Sequence, residues 1–418
     1  MNKKIISIYE LLQCLTDAAD LISPQLANHH QQVAYLAYHI GDQIGLSNED
    51  KRDLIVAGLL HDIGALSVKE RHFILENEAP NINDHGHKGA KLLSGFSHLK
   101  KAAKVIKHHH MPWDFGYGSE FEGEEVSMLS HIIHLADRIA VLVNHSNKVL
   151  EQIPDIREKI MAGSGKRFVP ECVDAFYELS HKEFIWLDLT YKPLLNIMPK
   201  VIAFDIWEIS WDDIIDLTRI FARIIDFRSH FTATHTSGVA TVAVELGKLA
   251  GFSEIEQKMM QVAGYLHDLG KLAIPTEILE KAAPLEIEEF NIIKSHTFYT
   301  YRLLQNIDAF DTLSRWAAFH HERLDGSGYP FHIDRKELTL GCRIVAVADI
   351  FTAIAEDRPY RKGMDDEAIK KVLIDLVSKE AICPYITGLL LNNFDKVNNE
   401  RIKQQSRAAK EYKEFFKD

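Results

Sequence analysis

The chain has 418 residues, more than one ordinary hydrophobic core serves, so two domains are expected. With 46% hydrophobic and 26% charged residues it reads as soluble and globular. A net charge of −12 argues against a generic nucleic-acid binder, which would show a basic face, but does not exclude a small phosphorylated ligand.

The N-terminus "MNKKIISIYELLQCL" begins like a signal peptide, but Glu10, Gln13 and Asp17 interrupt the apolar run. No stretch of about 18 apolar residues follows anywhere, so no membrane-spanning helix is expected. The segment "HQQVAYLAYHIGDQIGL" then places Val33, Leu36, Ile40 and Ile44 on one helical face. Ser47 precedes Asp50 as a cap signal, and the next helix ends in "LIVAGLLHDIG". The tract "HHHMPWDFGYG" follows at 108–118, and "EGEE" at 122–125 reads as a solvated loop. "WEISWDDIIDLTRIFARIIDF" is a helix joining or packing two halves, with its tryptophans expected in the core. "HTSGVATVAVELGKLAG" puts Val239, Val242, Leu246 and Leu249 on a face and stops at Gly251. Ser253 and Glu256 form a capping-box pattern, opening a helix that runs to about Gly270. The last stretch, "RIKQQSRAAKEYKEFFKD", reads as a charged, exposed helix. The chain is expected to be all-α.

The same order of features is written twice. His30, the pair His61-Asp62, His85, the pair His109-His110 and Asp137 recur as His235, His267-Asp268, His296, His320-His321 and Asp349. The shift is about 205 residues at the start and about 212 at the end. A near-constant offset across five landmarks indicates duplication of a whole domain. The boundary falls between Pro193 and Ser210, giving domains 1–200 and 201–418.

Twenty-two histidines are the compositional outlier, while Cys14, Cys172, Cys342 and Cys383 lack CxxC spacing. Disulfides and a thiolate site are therefore not expected, and a reducing cytoplasm fits. Imidazole and carboxylate together suit divalent ions such as Mn, Fe, Ni or Zn. In an adjacent His-Asp pair the side chains diverge by about 100° on a helix, so one residue can serve each of two ions. His235, His267, Asp268, His296, His320, His321 and Asp349 are too many ligands for one ion and suit two. Paired metals are a recurrent device for hydrolysing phosphate esters. Any one of these histidines alone would more often be a structural core residue than a ligand.

The segments "HDLGK" at 267–271, "HHERLDGSGYP" at 320–330 and "VADIFTAIAEDRPYRK" at 347–362 resemble the HD-GYP family, a branch of the HD superfamily of metal-dependent phosphohydrolases. The match spans roughly residues 220–400. The resemblance implies two tandem HD-type helical domains, the second an HD-GYP domain, and hydrolysis of a cyclic dinucleotide, cyclic di-GMP or cyclic GMP-AMP. The seven residues of the second half become ligands of Mn, Fe or Ni, with Asp268 bridging and catalytic. Lys271 would neutralise charge on the scissile phosphate. Gly326, Gly328, Tyr329 and Pro330 would line the mouth, with Tyr329 on a base or phosphate, and Arg358 and Arg361 would grip substrate phosphates. Phe231 stands where some relatives carry a glutamate for a third metal, so two metals are expected; Thr297 replaces a proline common in the family.

The first half keeps His30, His61, Asp62, His85, His109, His110 and Asp137 as a second candidate metal site. Ala65 stands where Lys271 stands, "MPWDFGYGS" replaces "ERLDGSGYP", and nothing after Asp137 resembles "DRPYRK". This half is either a plain HD domain that acts further, for instance as a 5′-nucleotidase on the linear product, or a regulatory domain. For the whole chain the alternative is a non-catalytic cyclic-dinucleotide receptor. Neither a nucleic-acid polymer nor a membrane is an expected partner.

Overall fold

The structure, a computed structural model, describes residues 7–22, 28–67, 70, 84–191, 194, 209–228, 234–357 and 362–417. Helices dominate; the only paired strands among the described residues are the hairpin β1 (Glu120–Phe121) and β2 (Glu124–Glu125). "EGEE" is thus the turn and second arm of this hairpin, with Glu124 ion-paired to Lys107. No described helix is long and apolar enough to cross a membrane.

Two compact units emerge, Leu11–Trp207 and Glu208–Asp418, the latter also taking in Met1–Glu10. The first contains α1 (Ile8–Asp20, from Leu11 on), α2 (His29–Gln43), α3 (Asn48–Leu60), α4 (Asp84–Leu93) and α5 (Lys100–Lys107). It continues with α6 (Met128–Leu142), α7 (Ile153–Met161), α8 (Pro170–Leu179) and α9 (Glu183–Thr190). Helix α2 is central, packing on α3 and α6. Its apolar face is the expected one: Val33, Leu36 and Ile40 are buried, each fully buried aliphatic side chain contributing roughly 1.5–3 kcal/mol. Ser47 caps α3 by accepting from the Asp50 amide at 3.1 Å.

The second unit contains α10 (Trp211–Phe227), α11 (His235–Leu249), α12 (Glu254–Leu266), the single turn α13 (Thr276–Leu279) and α14 (Ile287–Leu304). Then come α15 (Asp311–Ala318), α16 (Leu340–Ala355), α17 (Asp366–Ser378), α18 (Pro384–Asn392) and α19 (Phe394–Phe415). Here α11 is central, packing on α12, α16 and α19 and burying Val239, Val242 and Leu246. Ser253 and Glu256 form the capping box that opens α12. Two expectations are corrected. Trp211 is only half-buried at the first position of α10, and α12 ends at Leu266, continuing as a 3₁₀ turn through Leu269–Ala273.

The glycine two residues after each His-Asp pair sets the next helix in place. A Cβ on Gly64 would lie 2.0 Å from the His85 carbonyl oxygen, and one on Gly270 would lie 1.9 Å from that of His296. Any side chain there would push the third histidine of its centre away.

Candidate metal centres

The helices of the second unit bring seven side chains to one point. His235 is the first residue of α11, His267 and Asp268 follow the end of α12, and His296 projects from α14. His320 and His321 follow α15, and Asp349 lies within α16. His235 Nε2 is 3.1 Å from Asp349 Oδ1; Asp268 lies 3.1 Å from His267 Nε2 through Oδ2 and 3.4 Å from His296 Nε2 through Oδ1. His320 Nε2 is 3.9 Å from Asp268, and His321 Nδ1 is 3.9 Å from Asp349. Asp268 reaches both groups of histidines, the position that a bridging ligand needs.

Backbone carbonyls fix which nitrogen points inward. Nδ1–H of His267 donates to Gly264 at 2.8 Å, that of His296 to Ile293 at 2.6 Å and that of His320 to Ala317 at 2.7 Å. A carbonyl only accepts, so the proton sits on Nδ1 and the lone pair on Nε2. For His235 the same anchor is Glu356 Oε1, 2.8 Å from Nδ1. Two such lone pairs, on His296 Nε2 and His320 Nε2, then face each other at 3.3 Å. His267 Nε2 and Asp268 Oδ1 are buried without a hydrogen-bond partner. Converging acceptors without donors fit divalent cations and little else.

Charge follows the same logic. Burial lowers His296 to about 3 and holds His320 well below its ordinary value, so both are neutral ligands near pH 7. Burial alone would raise the Asp268 carboxyl, but the His267 imidazole and the Lys271 ammonium hold it well below the carboxylate range. Lys271 Nζ donates to Asp268 Oδ2 at 2.6 Å.

The segment "HHERLDGSGYP" folds back over this centre. Asp325 Oδ1 accepts from the Ser327 amide at 2.9 Å, the His321 carbonyl from the Tyr329 amide at 3.2 Å, and Glu322 Oε1 from the Phe331 amide at 2.7 Å. Gly328 is pressed onto the segment that follows the histidine pair: a Cβ would lie 2.4 Å from Glu322 Cα. The Tyr329–Pro330 peptide is cis. The Tyr329 ring covers His321 with centroids 5.0 Å apart, and Phe290 of α14 meets Tyr329 edge-on at 6.3 Å. Lys294 Nζ lies 4.8 Å over Phe290 and 5.9 Å over Tyr329. Phe290 and Lys294 were not singled out from sequence; their spacing of one helical turn on the helix that carries His296 was the available signal. Arg358, Arg361 and Phe231 lie outside the described residues.

The first unit repeats the geometry with one correction. The position equivalent to His235 is filled by His29, whose Nε2 is 3.1 Å from Asp137 Oδ1; His30 beside it gives Nδ1 to Asp20 Oδ1 at 2.6 Å and keeps Nε2 buried without a hydrogen-bond partner. Neighbours on a helix diverge by about 100°, so only one of the two can face the centre through that edge. His85 Nε2 is 3.1 Å from Asp62 Oδ1, His109 Nε2 3.8 Å from the same oxygen, and His110 Nδ1 4.0 Å from Asp137. His61 and His109 donate through Nδ1 to Gly58 at 2.8 Å and Ile106 at 2.7 Å. His29 Nε2, His61 Nε2, Asp62 Oδ1 and His110 Nε2 are buried without hydrogen-bond partners, so this set also fits a metal.

The surroundings differ. Arg138, buried, donates to Asp137 Oδ2 from Nε at 3.0 Å and from Nη2 at 2.6 Å. Burial would raise Asp137, but this guanidinium, joined by His29, holds it well below the usual range. Tyr117, in the segment that replaces the glycine-rich loop, is 82% exposed.

A family model described as HD domain matches residues 13–152 and 219–374. The chain belongs to the HD-domain family. Both matched segments carry one of the two His/Asp centres. Among curated proteins, 3′3′-cGAMP-specific phosphodiesterase 1 of Vibrio cholerae is 29% identical over 402 residues, covering 93% of this chain and 92% of the relative. The 3′3′-cGAMP-specific phosphodiesterase 3 of the same organism is 27% identical over 413 residues, covering 85% and 88%. Among solved structures, a cyclic GMP-AMP specific phosphodiesterase from V. cholerae matches with a TM-score of 0.65 at 23% identity, over 94% of this chain and 98% of that one. This likeness establishes the fold: helical, with HD-type architecture in both halves.

Proposed function

We propose that the protein is a cyclic-dinucleotide phosphodiesterase whose reaction takes place at the C-terminal centre and yields a linear 5′-phosphorylated dinucleotide. The observation that carries this is the convergence of neutral imidazoles and the Asp268 carboxylate beside Lys271, under an aromatic lid. The two relatives matched along most of their length are cyclic GMP-AMP phosphodiesterases, which favours that substrate over cyclic di-GMP.

His235, His267, Asp268, His296, His320, His321 and Asp349 would hold two ions, of the Mn, Fe or Ni class, with Phe231 unable to support a third. When bound, such ions supply Lewis acidity at phosphorus and acidify water. Lys271, partly exposed and tethered to Asp268, reaches toward the scissile phosphate and offsets the charge that develops on it. Tyr329 and Phe290 give a base a surface to stack on, with Lys294 beside them. Arg358 and Arg361 hold phosphate oxygens in forks. The domains are read as 1–200 and 201–418.

A second reading concerns the first unit: its centre removes the 5′-phosphate of the linear product. The recurrence of the inner geometry around Asp62 supports it. One product assay tests both. Metal-loaded protein receives cyclic GMP-AMP, cyclic di-GMP and cyclic di-AMP separately, and products are resolved by chromatography. Linearisation of cyclic GMP-AMP is expected, with the 5′-phosphate lost only while His61 is intact. If no cyclic substrate is cleaved under any of the metals, the receptor alternative replaces the enzyme. If cleavage stops at the 5′-phosphorylated product, the first unit is regulatory.

A further inference from the structure

A polar cavity of about 250 Å³ lies within the second unit between α10, α11, α12 and α19, and none of the metal-ligand residues lines it. Arg219 and Arg223, one helical turn apart on α10, converge there with Arg407 of α19, and Tyr265 and Gln261 of α12 close the side. Three guanidinium groups at one cavity stand out in a chain of net charge −12. Carboxylates answer part of that charge: Glu411 accepts from Arg223 Nη2 at 2.8 Å, and Asp216 lies 3.4 Å from Arg219 Nη1. Asp226 accepts from the Thr236 hydroxyl at 2.5 Å. Arg223 Nε remains buried with no hydrogen-bond partner. The Arg223 side chain as a whole is 28% exposed, and a cationic fork lining a cavity fits an anionic acceptor.

We propose that this cavity is an effector site for a small molecule bearing a phosphate group. Planar guanidinium forks match phosphate oxygens in pairs, and several in one cavity discriminate phosphate from a single carboxylate. The volume lies near the lower end of ligand pockets, roughly 300 Å³ and upward, which suits a mononucleotide.

Its walls reach the metal centre by two routes. Thr236, bonded to Asp226 of the cavity wall, is the residue next to His235. On α19, Gln404 lines the cavity while Gln405 donates to Glu356 Oε2 at 3.0 Å, and the other oxygen of Glu356 anchors His235 Nδ1 at 2.8 Å. An occupant that draws α10 and α19 toward itself shifts both supports of one ligand. This coupling, unlike the binding, rests on the reading of the C-terminal centre as the phosphodiesterase site.

The test is calorimetric titration of metal-loaded, full-length protein with GMP, with guanosine as the control lacking phosphate, beside turnover of cyclic GMP-AMP with and without GMP. GMP is expected to bind and guanosine not. Arg223→Gln/Arg407→Gln should weaken GMP binding at least tenfold, and Asp268→Ala should leave it in place. Wild-type turnover should change at least twofold with GMP, and that of the arginine variant should not. Should the double variant fail to fold by circular dichroism, Arg407→Gln alone, an exposed position, should weaken binding at least threefold. Binding that ignores the arginines, or that vanishes in Asp268→Ala, overturns the site. Binding without any change in turnover overturns its effector role. A protein that binds GMP through the arginines but cleaves no cyclic dinucleotide keeps the site and loses the phosphodiesterase reading.

Discussion

The two centres of this chain share an inner geometry and differ in what surrounds it. The first histidine stands 3.1 Å from the last aspartate in both, and the histidine of the His-Asp pair stands 3.9 Å from that aspartate in both. The cations are exchanged. In the second unit Lys271 rests on the aspartate of the pair; in the first, Arg138 grips the last aspartate. Access differs too, since the side chain of His321 is 30% exposed and that of His110 only 3%. Ligand placement follows from packing: a glycine that admits the third helix, carbonyls that fix the Nδ1 protons, and a histidine pair after a helix. Reactivity toward a large substrate needs an open mouth and a cation within reach of it. Among the described residues, the second unit pairs the more exposed histidine with a partly exposed lysine, whereas Arg138 of the first is buried.

The sharpest way to break that comparison is to remove the same residue from each unit. Asp268→Ala should lower cyclic-dinucleotide cleavage by about 10³-fold or more, because the variant loses a shared ligand as well as the partner of Lys271. Asp62→Ala should leave linearisation within about twofold. Equal losses in the two variants, measured as initial rates by chromatography, would remove the assignment of cleavage to the second unit. The next effect isolates the exchanged cation. Lys271→Ala should cost about 10²-fold in turnover while metal content by elemental analysis stays unchanged, since a charge aimed at the transition state is lost but no ligand is. Loss of metal together with rate would make Lys271 a structural support for Asp268.

Much of this was legible in the sequence, for local reasons. The helices announce themselves by apolar spacing and caps, and the doubled His-Asp signature exposes the duplication. The loop of "HHERLDGSGYP" is a set of contacts within eleven residues, so its motif carries its geometry. What sequence did not yield depends on rotation or on distance along the chain. His29 and His30 are adjacent and chemically alike, and only the phase of the helix decides which faces Asp137. Arg138 stands next to a ligand, yet its clamp is visible only once the side chain is placed. The C-terminal helix reads as plain charged surface, but Arg401 is buried in it and Gln405 reaches the residue that anchors His235.

Two smaller effects sharpen the contrast at the periphery. Phe290→Ala should raise KM for the cyclic dinucleotide about five- to tenfold and spare kcat, because stacking on a base is worth roughly 1–3 kcal/mol and is present before the reaction. A fall in kcat with KM unchanged would place Phe290 in loop support instead. Arg138→Gln, in a His267→Ala background that silences the other centre, should raise metal retention by the first unit about tenfold. Freeing Asp137 Oδ2 restores a carboxylate oxygen that the guanidinium now occupies. Unchanged retention on dialysis would show that Arg138 does not limit the site.

The smallest effect concerns histidines outside the metal positions. Burial lowers His134 to about 3 and His39 to about 4, and both belong to the first unit. Their folded values lie below the unfolded value of about 6.5, so the unfolded chain binds protons first as the pH falls. Stability from these groups is present above pH 6.5 and is lost as the pH drops toward their folded values. Each histidine should cost roughly 1–2 kcal/mol by pH 5. Asp17, raised to about 7 mainly by burial, works in the opposite direction over part of that range and offsets a fraction of the loss. Calorimetric melting of metal-loaded protein at pH 7 and pH 5 should therefore lower the transition of the first unit by several degrees more than that of the second. His134→Phe should remove part of the difference by replacing a buried titrating ring with an apolar one. Parallel shifts in both transitions would mean that ligand protonation, common to the two centres, controls acid lability, and that the first unit's additional buried histidines contribute little.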